Sequence, residues 1–268
     1  MADKSALGNR MKGYEEVTAG VRHLPLLPVI ARLDGKRFSR FTEGLRRPYD
    51  PRLSELMMRT TEHLVEQTQA RVGYTQSDEI SLLYYSDDLK RQPFLDGRVH
   101  KQVSVLASMV TAFFARTLDV MIPEKSGSIV LFDCRVWTLP NRDEAANALL
   151  WRERDATKNS IGMAARHYYS HEQLLNRTSS ELHDLLHAKG VNWNDYPRFF
   201  KRGTYVQRRP VTRRFTADEL RDLPAEHRAH SEPELMFERR ETVRLQLPRL
   251  GSVSNRVQVL FDGADPAF

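Results

Sequence analysis

The sequence predicts an α+β fold, an antiparallel sheet with helices on one face, followed by a helical second half and a basic C-terminal extension. Three observations predict it. Apolar runs of strand length near residues 26–33, 71–85 and 128–137 alternate with apolar stripes of helical period near 51–65 and 100–118. The order is then strand–helix–strand–strand–helix–strand, the split βαββαβ arrangement of a ferredoxin-like layer. Past Asn141 the pattern turns helical, and past Tyr205 it becomes rich in arginine and proline.

Each element has a local reason. Residues 1–20 read as a polar lead-in helix. Leu26–Leu33 reads as a buried strand, stopped by Asp34-Gly35. Pro51 suits a first helical turn, and Leu53, Leu56, Met57, Leu64 and Val65 follow near the helical period. Residues 71–85 read as two short strands meeting at the polar tip Gln76-Ser77-Asp78-Glu79, because acids disfavour the middle of one continuous strand. A loop over 87–97 leads to a helix from about His100 to Leu118, with Val103, Leu106, Val110, Phe113 and Phe114 as its stripe. Ser128–Trp137 reads as a strand. Asn141 with Glu144 predicts a cap for a helix through Trp151, and Thr178 with Glu181 a cap for one ending at Gly190. Val257–Phe261 looks strand-like. The implied organisation is a catalytic layer over 1–140, a helical part over 141–210 that completes the core and offers RNA and subunit surfaces, and a basic extension over 211–268.

Composition bounds the function. With 268 residues, 40% hydrophobic, the chain can bury a good core in one large domain or one domain plus an appendage. No apolar run reads as a membrane span and no hydrophobic leader opens the chain, so no membrane partner is expected. The one cysteine, Cys134, excludes an internal disulfide and a multi-cysteine zinc site, and fits a core position in a reducing, cytoplasmic protein. The net charge is +6, and the excess is clumped: Arg198–Arg214 holds seven basic residues, no acid, and the aromatics Phe199, Phe200 and Tyr205. Such a stretch attracts phosphates, and its rings can stack bases, so it is expected to bind RNA. His167 and His171 stand four apart, a zinc spacing on a helix, but without the accompanying glutamate they read as a surface or packing pair.

The acids at the strand ends carry the chemistry. In a βαββαβ layer the first strand lies beside the hairpin, so Asp34 and Asp78 converge at one end of the sheet. Converging carboxylates repel unless one protonates or a cation joins them. Magnesium suits hard oxygen ligands and leaves positions open for phosphate. Gly35 lets backbone approach a bound group. Lys36 and Arg37 add charge next door. Arg98 and Lys101, at a helix start, and Arg47 with Asp50, on the loop before the first long helix, read as candidates for a triphosphate clamp. Any one of these alone reads as a turn or a solvated end; their combination points to metal-dependent phosphoryl or nucleotidyl transfer.

Two ordered blocks make the pattern specific. Ala31-Arg32-Leu33-Asp34-Gly35-Lys36-Arg37-Phe38 and Tyr74-Thr75-Gln76-Ser77-Asp78-Glu79-Ile80-Ser81 resemble the R-L-D-G-x-x-F and G-Q-S-D-E-x-S blocks of the tRNA(His) guanylyltransferase superfamily. Arg47-Pro48-Tyr49-Asp50, Arg98 with Lys101, Trp151-Arg152 with Asp155 and Asn159, and Arg202-Gly203-Thr204 extend the resemblance over roughly 10–210. It implies a palm-like layer related to polymerases and nucleotide cyclases, and 3′-to-5′ addition of nucleotides to the 5′ end of tRNA after 5′ activation. It also implies two magnesium ions on Asp34, Asp78 and the Gly35 carbonyl, with Glu79 close by as a further catalytic acid. GTP and ATP would be the nucleotide substrates, bound by residues 34–39, Arg47, Asp50, Ser77, Asp78, Arg98 and Lys101. Arg152, Asn159, Lys201, Arg202, Arg208 and Arg209 would contact RNA, and the family's tetramers suggest a homo-oligomer.

The departures are informative. Guanylyltransferases proper carry H-I-N-N where this chain has Thr157-Lys158-Asn159-Ser160, a histidine at Ser39 and a lysine at Arg47. These differences resemble the bacterial and archaeal like-proteins, which implies template-dependent repair of 5′-truncated tRNA rather than obligatory addition of G to tRNA(His). A non-catalytic RNA-binding protein on the same layer is disfavoured by the intact Asp34, Asp78, Arg98 and Lys101. A nucleotide cyclase is disfavoured by the basic second half.

Overall fold

A computed structural model describes residues 5–232 and 234–268; residues 1–4 of the expected lead-in helix lie outside it. Among the described residues six strands form one sheet: β1 (Val29–Gly35), β2 (Val72–Gln76), β3 (Glu79–Tyr84), β4 (Phe132–Thr138), β5 (Thr204–Arg214) and β6 (Met236–Leu245). Their spatial order is β4-β1-β3-β2-β5-β6, and every neighbouring pair is antiparallel. The helices are α1 (Ala6–Ala19), the short α2 (Phe38–Phe41), α3 (Pro51–Thr68), α4 (Val99–Met121), α5 (Arg142–Arg166), α6 (His171–Leu174), α7 (Ser179–Ala188), α8 (Arg198–Arg202), α9 (Ala217–Asp222) and α10 (Arg256–Asp262).

Helices α3 and α4 cover one face. Strand residues Ala31, Leu33 and Leu82 meet Leu56, Leu64, Leu106, Val110 and Phe114 there. The second half of the chain covers the opposite face: Ile30, Tyr74 and Leu83 point to it and bury against Ala145 and Leu149 of α5 and Val259–Phe261 of α10. Alternate residues of a strand face opposite ways, so a sheet apolar on both sides needs two covers.

Helix α3 shows how the sequence sets an element. Asp50 caps it by accepting from the Arg52 N–H at 2.9 Å, and Pro51 occupies the first turn, where no N–H is needed. Its buried threonines return their hydroxyls to carbonyls one turn back, Thr60 to Leu56 and Thr61 to Met57, so neither hydroxyl is stranded. Helix α4 is long and apolar enough to cross a membrane by length and composition, contrary to the expectation that no run is. Here it packs as a core helix through Leu106, Val110, Phe114 and Leu118.

The C-terminal region differs most from expectation. Strand β5 runs across residue 210, β6 pairs with it throughout, and Val257–Phe261 lies in helix α10 rather than a strand. A short apolar run reads alike for a buried strand and a buried helix. Gly263, at φ +75°, ends α10 with the left-handed residue that terminates many helices.

Candidate active site

The β2–β3 hairpin closes in two residues, Ser77 and Asp78, with Gln76 opposite Glu79. Ser77 takes a left-handed φ of +48°, as tight hairpin turns demand. Strand β1 lies beside β3, placing Asp34 opposite Glu79, and the Gly35 N–H donates to the Asp78 carbonyl at 3.2 Å. This bond ties the end of β1 to the hairpin tip and brings the two aspartates together at the end of the sheet.

Their electrostatics record the crowding. Burial pushes the Asp78 carboxyl up to about 6, and the Asp34 charge adds to the rise. The Asp34 carboxyl is also raised, by burial first and then by Asp133. Asp133 stands opposite Asp34 across β1 and β4, and the sequence reading missed it. Among the described residues no group of three or more His, Cys, Asp or Glu side chains is placed to hold a metal. Two crowded carboxylates beside a backbone carbonyl still fit a cation that completes its shell with phosphate and water.

The nearby residues of the first block divide. A Cβ on Gly35 would lie 2.3 Å from the Phe38 ring, so the glycine admits that ring. Phe38 is chiefly a core side chain, packed with Phe41, Phe114 and Phe132 at the edge of the cleft. Arg37 adopts φ +56° before α2 and lines the cleft with Ser39. Lys36 is exposed, and its N–H donates to Leu131.

Glu79, expected close by as a further catalytic acid, lines the cleft with the two aspartates and is held there as an anchor. It is buried, and Arg152 donates to both its oxygens, at 2.6 and 2.5 Å. Arg152 also donates to Asp155 at 2.9 Å, and Asn159 to Asp155 at 3.2 Å. Arg152 lines the cleft as well, with its guanidinium committed to these two carboxylates as a brace behind the hairpin tip. Asn159 is exposed on the cleft wall.

The cleft over Asp34 and Asp78 has a volume of about 1060 Å³. Arg32, Arg46, Arg47 and Arg166 bring positive charge to it, and Tyr49, Phe199 and Phe200 form an aromatic wall. Arg32 and Arg166 were missed; Arg32, two residues before Asp34, shares its strand face, a signal the period of two carries. Arg47 is exposed at the rim. Asp50 lines the cleft too; it is buried and bonded to Arg52 and the Arg46 N–H, so it holds the loop that carries Arg47.

Arg98 and Lys101 are not in this cleft. Helix α4 begins at the other end of the sheet, where Lys101 lines a second cavity with Val29 and Tyr84. Within one chain they do not form a clamp with Asp34 and Asp78. The basic stretch 198–214 is likewise split. Lys201 and Arg202 stack over Trp193 at 5.5 and 5.6 Å, and Tyr205 is fully buried. Strand β5 then carries Arg208 and Arg209 to the far end of the sheet. His167 caps α5 while His171 opens α6, so the pair does not share one helix. Cys134 is buried, and burial pushes its thiol up to about 12.

The comparisons agree with this geometry. The model of the tRNAHis guanylyltransferase family matches residues 8–140. A bacterial tRNA(His) guanylyltransferase-like protein solved in complex with ATP is 38% identical, with a TM-score of 0.71 over 75% of this chain and 88% of that one. One solved in complex with GTP is 30% identical, with a TM-score of 0.71 over 92% of this chain and 94% of that one. The tRNA(His) guanylyltransferase of Debaryomyces hansenii is 28% identical over 218 residues, 73% of this chain and 80% of the yeast protein. The cleft, the ordered motifs and this similarity place the chain in the tRNA(His) guanylyltransferase family of nucleotidyltransferases.

Proposed function

We propose that the protein is a magnesium-dependent 3′-to-5′ nucleotidyltransferase that adds nucleotides to the 5′ end of tRNA, in template-dependent repair of truncated molecules. The observation that carries the reading is the convergence of Asp34 and Asp78, both raised in pKa, in a cleft rimmed by arginines. The ATP and GTP complexes of the bacterial relatives support those nucleotides as substrates. Repair is favoured over tRNA(His)-specific G addition by Thr157-Lys158-Asn159-Ser160, and by the higher identity to the bacterial like-protein than to the yeast enzyme. We read β1 to β4 with α3 and α4 as a palm-like layer.

Asp34, Asp78 and the Gly35 carbonyl would hold magnesium, which supplies the positive charge that activates a hydroxyl and steadies a leaving phosphate. The 3′-hydroxyl oxygen of the incoming nucleotide bonds to the 5′ phosphorus of an activated tRNA. The bond from that phosphorus to the leaving pyrophosphate or AMP breaks with its electron pair, and the hydroxyl proton passes to solvent. Arg32, Arg37 and Arg47 balance phosphate charge. Ser39 and Ser77 offer hydroxyl donors. The Glu79–Arg152 pair holds the hairpin tip so that Asp78 keeps its place.

The test incubates the protein with 5′-truncated tRNA, ATP or GTP, and magnesium, and reads product length on a sequencing gel. Stepwise 5′ extension is expected, and Asp78→Ala abolishes it while leaving tRNA affinity nearly intact. No extension on several tRNAs, including 5′-triphosphorylated ones, sinks the reading. A single G added only to tRNA(His) selects the guanylyltransferase instead.

A further inference from the structure

The second cavity, about 700 Å³, lies at the opposite end of the sheet from Asp34. Val29 lines it, five residues before Asp34 on β1 and thus about 17 Å away at roughly 3.4 Å per residue. Its base includes the stacked rings of Tyr84 and Phe94, 5.6 Å apart. One wall comes from β5 and β6. Beyond Gln207, β5 has no partner in β2 and pairs with β6 alone, so the two strands overhang the sheet as a ribbon.

Charge sets this cavity apart. Arg91, Lys101, Arg208 and Arg240 line it from four separate segments. Among the described residues none of these side chains has an ion pair or hydrogen bond, whereas the acids around them are committed. Asp262 is paired with Arg142, Asp88 accepts from the Lys90 N–H, and Asp96 accepts from Gln92. At the ribbon's tip the cations are paired instead: Arg213 with Glu219 and Glu241, Arg214 with Glu234, and Arg239 with Glu219. Uncompensated like charges at the ribbon's root repel one another, and that cost is offset when an external polyanion binds.

We infer that this cavity is a docking groove for the sugar–phosphate backbone of RNA, engaging the substrate well away from its reacting 5′ end. The inference rests on the reading that tRNA is the substrate. Four cations from a loop, a helix start and two strands, spread along an open groove, suit a row of phosphates more than the single triphosphate of a free nucleotide. The groove would thus act as a sequence-independent anchor that positions the RNA relative to the cleft at Asp34 and Asp78.

The test measures binding of labelled tRNA to the full chain across a salt series, comparing wild type with Arg208→Glu/Arg240→Glu. The expected result is affinity weaker by about tenfold at 0.1 M salt, and a slope of log K against log salt shallower by about 2, near 0.9 for each phosphate no longer neutralised. A charge-matched control, Arg221→Glu/Arg228→Glu, keeps wild-type affinity and slope. Should the reversal disturb folding, seen as a changed circular dichroism spectrum, Arg208→Gln/Arg240→Gln gives the same readout with a smaller shift. Wild-type affinity and slope in the groove variants overturn the groove alone. Failure of the wild type to bind any tRNA overturns the substrate reading and the groove with it. Displacement of tRNA by ATP in the wild type but not in the variants identifies a small-nucleotide site and also overturns the inference.

Discussion

Arg152 reaches from the middle of α5 to hold both carboxylate oxygens of Glu79, the residue after Asp78, with the two side chains 10% and 7% exposed. This pair joins the helix over the second face of the sheet to the hairpin tip that presents the aspartate. Breaking a buried ion pair by removing one partner leaves a stranded charge and costs about 3–5 kcal/mol. Arg152→Met is therefore expected to lower Tm by roughly 10 °C, at about 2–4 °C per kcal/mol for a chain near this size. Nucleotide addition falls with it as the tip loosens. Glu79→Gln/Arg152→Met, which leaves no buried charge unpaired because Asp155 is partly exposed, recovers part of the stability but not the activity. Thermal melts and extension assays on both variants check this; equal stability of the single and double variants would contradict it.

The outcome at Glu79 also shows what the sequence could and could not carry. Asp34 and Asp78 were legible because strand order alone brings their positions together. Glu79 ranked below them with its role open, because nothing local shows that an acid beside the cleft is paired with an arginine 73 residues away. Strands β1 to β4 were legible from their apolar runs. Strand β6 was not, because its Met-Phe-Glu-Arg-Arg-Glu-Thr-Val pattern is half charged and makes sense only against the arginines of β5. Arg98 and Lys101 were misplaced for a similar reason: a helix start was recognised, but which end of the sheet it occupies depends on the direction in which α4 runs back across the layer.

Asp50 gives a test of loop support. Its carboxylate accepts from the Arg52 N–H at 2.9 Å, from the Arg52 side chain at 2.8 Å, and from the Arg46 N–H at 3.4 Å. Removing a helix N-cap costs about 0.5–2 kcal/mol, so Asp50→Ala lowers stability by that order and frees the loop carrying Arg46 and Arg47. The expected kinetic signature is a raised KM for the nucleotide with a smaller change in kcat. The Arg52 guanidinium holds the Asp50 carboxyl below its usual value. Its stabilisation is present above the unfolded pKa, about 3.9, and is lost as pH falls through the lower folded value. The stability gap between wild type and variant should close in that acid range; a gap constant down to pH 2 in urea titrations would refute the role.

Glu153 predicts the opposite pH behaviour. It neighbours Arg152 on α5 but is buried on its own account, accepting from the Leu250 N–H at 2.9 Å with the Tyr205 hydroxyl beside it. Burial raises its carboxyl above the usual range, with Leu250, Tyr205 and the cations Arg198 and Arg202 pulling the other way. A group whose folded pKa is raised contributes stability in full below its unfolded pKa. That contribution is lost as pH rises through the folded value, where the fold must carry the charge in its interior. Glu153→Gln keeps an acceptor for Leu250 and never ionises. Relative to wild type it should therefore gain stability as pH rises from about 4 toward 8, while matching or falling below wild type under acid conditions. Urea unfolding midpoints at several pH values measure the difference directly. A difference that is flat with pH would mean that Glu153 titrates in the fold as it does in the unfolded chain, and would refute the shift.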